Sequence, residues 1–83
     1  MARLIDVILD EYWSAKRKFP KFNSAHEGIA VIEEEFLELR QEVFWGKEPK
    51  NMKMEAIQLA AMSIRFLVDV CKHVDPLEET DEN

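Results

Sequence analysis

The feature that most constrains this chain is a stretch in its second half that is apolar around most of a helix circumference. We predict that this helix begins after Asn51, a good N-cap residue, and ends near His73 or Val74. Its apolar side chains recur at helical spacing and cover one broad arc: Met54, Ile57, Ala60, Ala61, Ile64, Leu67, Val68 and Cys71. A helix that is apolar nearly all round is a buried helix. The pattern therefore predicts an all-α fold in which other helices cover this one.

Two further helices precede this stretch. The first runs from about Ala2 to Lys18 and is ended by Pro20. The second begins at the capping box Ser24-Ala25-His26-Glu27 and continues to Trp45. Together these signals divide the chain into three helices, and no strand-like alternation of useful length interrupts them.

The connection between the second and third helices is short. Gly46 suits the left-handed position after the second helix, and the segment from Gly46 to Asn51 favours an antiparallel hairpin. We assign residues 1–75 to a single all-α domain and residues 76–83 to an acidic tail. Two companion helices can hardly cover the third, so we expect a homo-oligomer that completes a helical bundle. A dimer is the simplest form, and a tetramer is the alternative.

The charge balance and the apolar runs exclude some classes of partner. The 83 residues include 17 acidic and 11 basic side chains, which give a formal net charge of −6. Such a chain is poorly suited to nucleic-acid binding through phosphates, which requires a basic face. No apolar run approaches the ~20 residues that span a bilayer. The single cysteine, Cys71, fits a reducing setting, so we expect a cytoplasmic protein that binds neither nucleic acid nor membrane.

The acidic residues of the second helix are patterned. Glu34 and Glu38 lie one turn apart on one face, and Glu35 lies beside them. Folding of the hairpin places Glu55 of the third helix about one turn from Glu38. Carboxylate oxygens without His or Cys suit a hard cation, Mg²⁺ or Mn²⁺. We predict that these four carboxylates share one cation.

The polar stripe of the third helix also contains Gln58 and Asp69. Glu55 and Asp69 are fourteen residues apart, roughly 21 Å along a helix, so one chain cannot bring both to the same ion. Asp69 is therefore a candidate ligand only if a second chain brings it close. A glutamate-rich helix face can also be simply solvated, because Glu is a good helix former.

The spacing of these residues resembles the signature of the MazG-like nucleotide pyrophosphohydrolases. In that family a Glu-Glu-x-x-Glu run is followed, after a variable gap, by Glu-x-x-Asp on the next helix. Glu34-Glu35-Phe36-Leu37-Glu38 matches the first half fully, and Glu55-Ala56-Ile57-Gln58 matches the second half except at its last position. The resemblance covers roughly Phe22 to Val70, which is most of the chain.

The resemblance implies an all-α, oligomeric enzyme that uses Mg²⁺ to hydrolyse a nucleoside triphosphate to the monophosphate and pyrophosphate. By similarity, Glu34, Glu35, Glu38 and Glu55 are metal ligands, and Glu35 and Glu38 are the catalytic residues. Gln58 stands where the family has a metal-binding aspartate, so it is a neutral candidate ligand. This departure leaves open a module that binds a nucleotide, a metal or a protein without hydrolysis.

The residues that contact the substrate phosphates are less well defined by the sequence. Lys47, Lys50 and Lys53, near the connection, are one set of candidates. The alternative is the basic group at and after the end of the first helix: Lys16, Arg17, Lys18 and Lys21. No motif distinguishes between the two groups.

Overall fold

The structure, a computed structural model, describes residues 3–72 and consists of three α-helices in this range. They are α1 (Leu4–Lys18), α2 (Ala25–Gln41) and α3 (Pro49–Asp69). A π-helical turn, Glu42–Gly46, extends α2. The described residues contain no strand, so the all-α prediction is confirmed for them. The acidic tail predicted at residues 76–83 lies outside the described residues.

The central helix is α3. It packs against both α1 and α2, whereas the backbones of α1 and α2 do not approach each other within the described range. The buried apolar core joins α1 to α3: Tyr12, Ala15, Ala61 and Met62. Val31 and Ile32 of α2 pack against this core. The helix with the most apolar circumference is therefore the one covered on two sides.

The end of α1 and the start of α2 follow local sequence signals. Helix α1 ends at Lys18, as predicted, because the residue before Pro20 is restricted to extended backbone. Helix α2 begins after Ser24, whose Oγ accepts a hydrogen bond from the N–H of Glu27 at 3.1 Å. The Glu27 carboxylate accepts from the N–H of Asn23, one residue earlier than the predicted capping box requires.

The end of α2 differs from the prediction. Lys47, with φ of 63°, is the left-handed residue there, and Gly46 is not. The N–H of Lys47 donates to the carbonyl of Glu42, five residues back, so the helix closes with a π turn and its cap falls one residue later. A Cβ at Gly46 would lie 2.1 Å from Oε1 of Glu42, so the absence of a side chain leaves room for that carboxylate.

Both ends of α3 lie earlier in the chain than predicted. The helix begins at Pro49, because proline is favoured at the first helical position, and Asn51 lies in its first turn. The prediction of Asn51 as N-cap is therefore wrong. The helix ends at Asp69 rather than near position 73 or 74, and the left-handed conformation of Lys72, with φ of 62°, follows it. The Nζ of Lys72 donates to the carbonyl of Asp69 at 3.2 Å.

Helices α2 and α3 run antiparallel, as the hairpin prediction requires. Glu38, late in α2, lies beside Glu55, early in α3. Gly28, early in α2, lies against Phe66, late in α3, and a Cβ on Gly28 would come within 2.7 Å of the Phe66 ring. This glycine therefore permits the close approach of the two helices.

The exposed apolar surface lies mainly on α2 and its π turn. Six of its large apolar side chains are exposed: Ile29, Phe36, Leu37, Val43, Phe44 and Trp45. On α3, the exposed large apolar side chains are Met54 and Leu67. The third helix, which we expected its two companions to leave partly uncovered, thus has fewer exposed large apolar side chains than α2 and its π turn. None of the helices in residues 3–72 has both the length and the apolar character needed to cross a membrane.

Candidate metal centre and adjoining cleft

Three carboxylates from two helices converge near the connection between α2 and α3. Glu35 and Glu38 lie one turn apart on α2, and Glu55 lies in the second turn of α3. One oxygen from each of the three side chains lies within 4.8 Å of the corresponding oxygens of the other two. All three are among the four carboxylates that the sequence predicts at a cation site.

Glu34 and Gln58 lie beside this three-carboxylate cluster. Glu34 is exposed and is not one of the three converging carboxylates. Both Glu34 and Gln58 line a cleft that Glu35 also lines. The structure therefore brings three of the four predicted carboxylates together and leaves Glu34 and Gln58 on the neighbouring surface.

Asp69 lies at the other end of α3 and has partners of its own. Its Oδ2 accepts a hydrogen bond from the N–H of Phe22 at 3.2 Å and lies 3.9 Å from the guanidinium of Arg65. Asp69 is 7% exposed and Arg65 is 4% exposed. The structure does not bring Asp69 to the three-carboxylate cluster; within this chain the residue ties the α1–α2 connection to α3.

The carboxylates of the cluster repel one another. Partial burial, followed by the negative charges of Glu38, Glu55 and Glu34, raises the pKa of Glu35 from 4.5 to about 7. Burial, and then the charge of Glu38, also raises the pKa of Glu55. The close approach of Glu38 to both side chains adds to the rise of each pKa. Without a cation, Glu35 therefore holds its proton to a higher pH than an isolated glutamate does, and the pKa of Glu55 is shifted in the same direction.

The donor set fits a hard divalent cation. The cluster offers carboxylate oxygens only, and such ligands suit Mg²⁺ or Mn²⁺. A divalent cation among the three side chains would also relieve the repulsion that raises the pKa of Glu35 and of Glu55. The residues present thus agree with the ion that the family resemblance implies.

Glu42 belongs to the same neighbourhood, and the sequence interpretation missed it. Its negative charge contributes to the raised pKa of Glu55. Its Oε1 is buried and has no hydrogen-bond partner within residues 3–72. The signal that could have found it is spacing, because Glu35, Glu38 and Glu42 recur at intervals of three and four and so share one face of a helix.

A cleft of about 560 Å³ adjoins the cluster. This volume is typical of small-molecule sites, which occupy roughly 300–1,000 Å³. The apolar part of its lining comes from all three helices and from the α1–α2 connection: Ala15, Phe22, Val31 and Met62. Glu35 belongs both to the cluster and to the lining, so a ligand in the cleft would lie next to a cation held by the cluster.

The two groups of candidate phosphate ligands differ in their relation to this cleft. Lys47, Lys50 and Lys53 are exposed, and none of them lines it. Lys18, which belongs to the alternative group at the end of α1, does line it. Of the seven candidates in the two groups, the structure thus brings only Lys18 to this cleft.

Comparison with known proteins provides no relative for this chain. It matches no protein-family model, and no curated protein or solved structure is significantly similar to it. The resemblance to the MazG-like enzymes therefore depends on the sequence motif alone, and the chemistry of the site depends on the geometry described above.

Proposed function

We propose that this protein is a Mg²⁺-dependent nucleoside triphosphate pyrophosphohydrolase of the MazG-like type, which converts a nucleoside triphosphate to the monophosphate and pyrophosphate. The observation that carries the proposal is the convergence of Glu35, Glu38 and Glu55, which come from both halves of the motif, beside a cleft of nucleotide size. Like charges gathered from two helices repel one another, and a cation between them would relieve that repulsion.

Each residue of the site has a role in this proposal. Glu35, Glu38 and Glu55 hold the cation, and Gln58 is a neutral oxygen donor beside them. Mg²⁺ supplies neutralisation of the phosphate oxygens and polarises the attacking water. A cation held by these side chains would favour the carboxylate form of Glu35. Glu35 lines the cleft, where its carboxylate would accept the proton of the attacking water, and Glu38, one turn along α2, would help to position it through the cation that both hold.

The working form in this proposal is a homo-oligomer, most simply a dimer. Ile29, Phe36 and Val43 recur every seven residues along α2 and its π turn, and all three are exposed. A monomeric protein rarely leaves such a row of large apolar side chains open to water. Pairing of this face with its copy across a two-fold axis would cover it.

Sedimentation tests the oligomer. We expect the wild-type protein to be a dimer or a tetramer at micromolar concentration, and Phe36→Glu to dissociate it because a charge would be buried in the interface. A folded wild-type monomer at that concentration would contradict the proposal.

A module that binds a metal or a nucleotide without hydrolysis is the second candidate. Gln58 favours it, because a neutral amide attracts a cation less strongly than the aspartate that the family has at this position. Both candidates are proposed for a cytoplasmic protein.

Pyrophosphate release distinguishes the two candidates. The protein is incubated with Mg²⁺ and a panel of canonical and modified nucleoside triphosphates. We expect release by the wild type and a loss of about 100-fold in Glu38→Gln, since a cation ligand is removed. Asp10→Asn is the matched control, because Asp10 is an exposed carboxylate of α1 outside the site, and its release should equal that of the wild type.

Three other results would change the assignment. Equal release by Glu38→Gln and the wild type would contradict the site. A rise in melting temperature with Mg²⁺, without release from any nucleotide, would favour the binding module. If neither pyrophosphate release nor a rise in melting temperature is observed, the acidic face is only a solvated surface.

A further inference from the structure

The cleft has one set of lining residues from α2 and α3 and another from α1. Glu34 and Glu35 come from α2, and Gln58 comes from α3. Lys18 comes from the last turn of α1. Because the backbones of α1 and α2 do not approach each other, the space between them over α3 remains open as the cleft.

Two cationic side chains line the cleft, and they differ in what they already contact. Arg65 is buried, donates to the carbonyl of Pro20 at 2.9 Å and lies over the ring of Phe22 at 4.3 Å. Its guanidinium also lies 3.9 Å from Asp69. These contacts give Arg65 a structural role. Lys18 is exposed, so its ammonium can bind an anion in the cleft without breaking buried contacts.

The charges of the substrate and of the cleft indicate that a cationic side chain is needed besides the metal ion. A nucleoside triphosphate carries more negative charge than one divalent cation neutralises. The other charged residues that line the cleft are acidic: Glu11, Glu27, Glu34 and Glu35. The geometry points to Lys18 as the residue that binds the phosphate oxygens of the substrate in the cleft that Glu35 of the three-carboxylate cluster also lines. This inference rests on the proposed function and names the phosphate contact that the sequence left open.

The α1–α2 connection holds Lys18 at the cleft. Pro20, two residues after Lys18, accepts a hydrogen bond from Arg65, and Phe22, four residues after it, donates to Asp69. Both partners are buried on α3, the helix that also carries Glu55. Helix α3 therefore positions Glu55 and, through the connection, the end of α1 that carries Lys18.

Binding measurements test the inference without relying on turnover. A non-hydrolysable nucleoside triphosphate analogue and inorganic tripolyphosphate are titrated in the presence of Mg²⁺ by calorimetry. We expect Lys18→Ala to weaken binding of both probes about tenfold, the usual effect of losing one charge-assisted hydrogen bond. Lys53→Ala is the matched control, since Lys53 does not line the cleft, and it should stay within about twofold of the wild type. The affinity for Mn²⁺ alone should be the same in both variants and the wild type.

The outcomes separate this inference from the proposed function. If the wild type releases pyrophosphate while Lys18→Ala binds both probes as well as Lys53→Ala does, the inference is overturned and the proposed function stands. If Lys18→Ala loses affinity for Mn²⁺ as well as for the probes, Lys18 supports the fold rather than the phosphates, and the inference is also overturned. If the wild type binds neither Mn²⁺ nor the analogue, the proposed function fails, and the inference fails with it.

Discussion

The two ends of α3 hold their charged groups in opposite ways. Near the C-terminal end, Arg65 and Asp69 have opposite charges, are buried, and each bond the backbone of the α1–α2 connection. Near the N-terminal end, Glu55 meets Glu35 and Glu38, which carry the same charge, and partial burial adds to their repulsion. The same helix thus carries a hydrogen-bonded pair of opposite charges at one end and a cluster of mutually repelling carboxylates at the other.

This difference indicates which end of α3 maintains the fold and which end serves a function. A buried pair of opposite charges with hydrogen-bond partners maintains the fold, and breaking it leaves an uncompensated charge inside the protein. Like charges gathered from two helices do not stabilise the chain on its own, and strongly perturbed carboxyl groups beside a cleft are typical of functional sites. The comparison predicts that substitutions near the C-terminal end of α3 destabilise the protein. Substitutions near its N-terminal end should change ligand binding instead.

The largest effect is expected at the buried pair. Asp69→Ala leaves Arg65 without its counter-charge and the N–H of Phe22 without its acceptor, so the free energy of unfolding should fall by about 3–5 kcal/mol in urea denaturation. Asp69→Asn keeps an acceptor and should lose only about 1–2 kcal/mol, which keeps the measurement possible if the first variant does not fold. The exposed Asp10→Ala is the control, within about 0.5 kcal/mol of the wild type. If the free energy of unfolding fell no more in Asp69→Ala than in Asp10→Ala, the buried pair would not maintain the fold, which would contradict the comparison.

A smaller loss of stability is expected where α2 and α3 come close together, near the C-terminal end of α3. Gly28→Ala places a Cβ within 2.7 Å of the Phe66 ring, so overpacking should lower the free energy of unfolding by about 1–3 kcal/mol. Ala30→Val, at an exposed position of the same helix, serves as the control for added volume. A Gly28→Ala variant as stable as the wild type would mean that the helices can separate there without loss.

At the acidic end, Gln58→Asp should change ligand binding more than it changes the fold. The added carboxylate lies on the cleft surface beside Glu35 and should raise the affinity for Mg²⁺ about tenfold, as measured by calorimetry. In the metal-free protein it adds repulsion, so the melting temperature should not rise. An unchanged Mg²⁺ affinity would place residue 58 outside the influence of the cation.

The smallest effect is a dependence of stability on pH. The pKa of Glu35 is raised to about 7 in the folded protein, so between about pH 4.5 and 7 the folded state binds more protons than the unfolded state. The stabilisation that this protonation provides is present below pH 4.5 and is lost as the pH rises through 7. After allowance for solvent screening, we expect the metal-free protein to lose about 1 kcal/mol between pH 5 and pH 8 relative to Glu35→Gln. If stability depended on pH in the same way in Glu35→Gln and in the wild type, the pKa of Glu35 would not be raised by its neighbours.

Local signals were sufficient to predict much of the fold and part of the site. Pro20 and Ser24 mark the α1–α2 connection because their effects act within a few residues. Glu35, Glu38 and Glu55 could be placed together because helical periodicity and a short connection determine which faces of a hairpin meet. These inferences require no knowledge of contacts between distant parts of the chain.

The remaining features depend on contacts that local spacing does not encode. Asp69 was expected in a polar stripe, but its partner is the N–H of Phe22, 47 residues earlier in the chain. The π turn that makes Lys47 the left-handed residue depends on one backbone hydrogen bond to Glu42, and the sequence pattern fits an ordinary glycine cap equally well. Lys18 lines the cleft and Lys47, Lys50 and Lys53 do not, a difference that depends on the packing of α1 on α3.

Mn²⁺ binding, followed by electron paramagnetic resonance, tests the central claim that the three carboxylates form a cation site. We expect the wild type and Asp10→Asn to bind a single Mn²⁺ per chain with equal affinity, and Glu38→Gln to bind it about 100-fold more weakly. The affinity should rise with pH through about 7, because Glu35 must release its proton. Binding of Mn²⁺ by Glu38→Gln as tight as in the wild type, or no binding by the wild type, would contradict the claim.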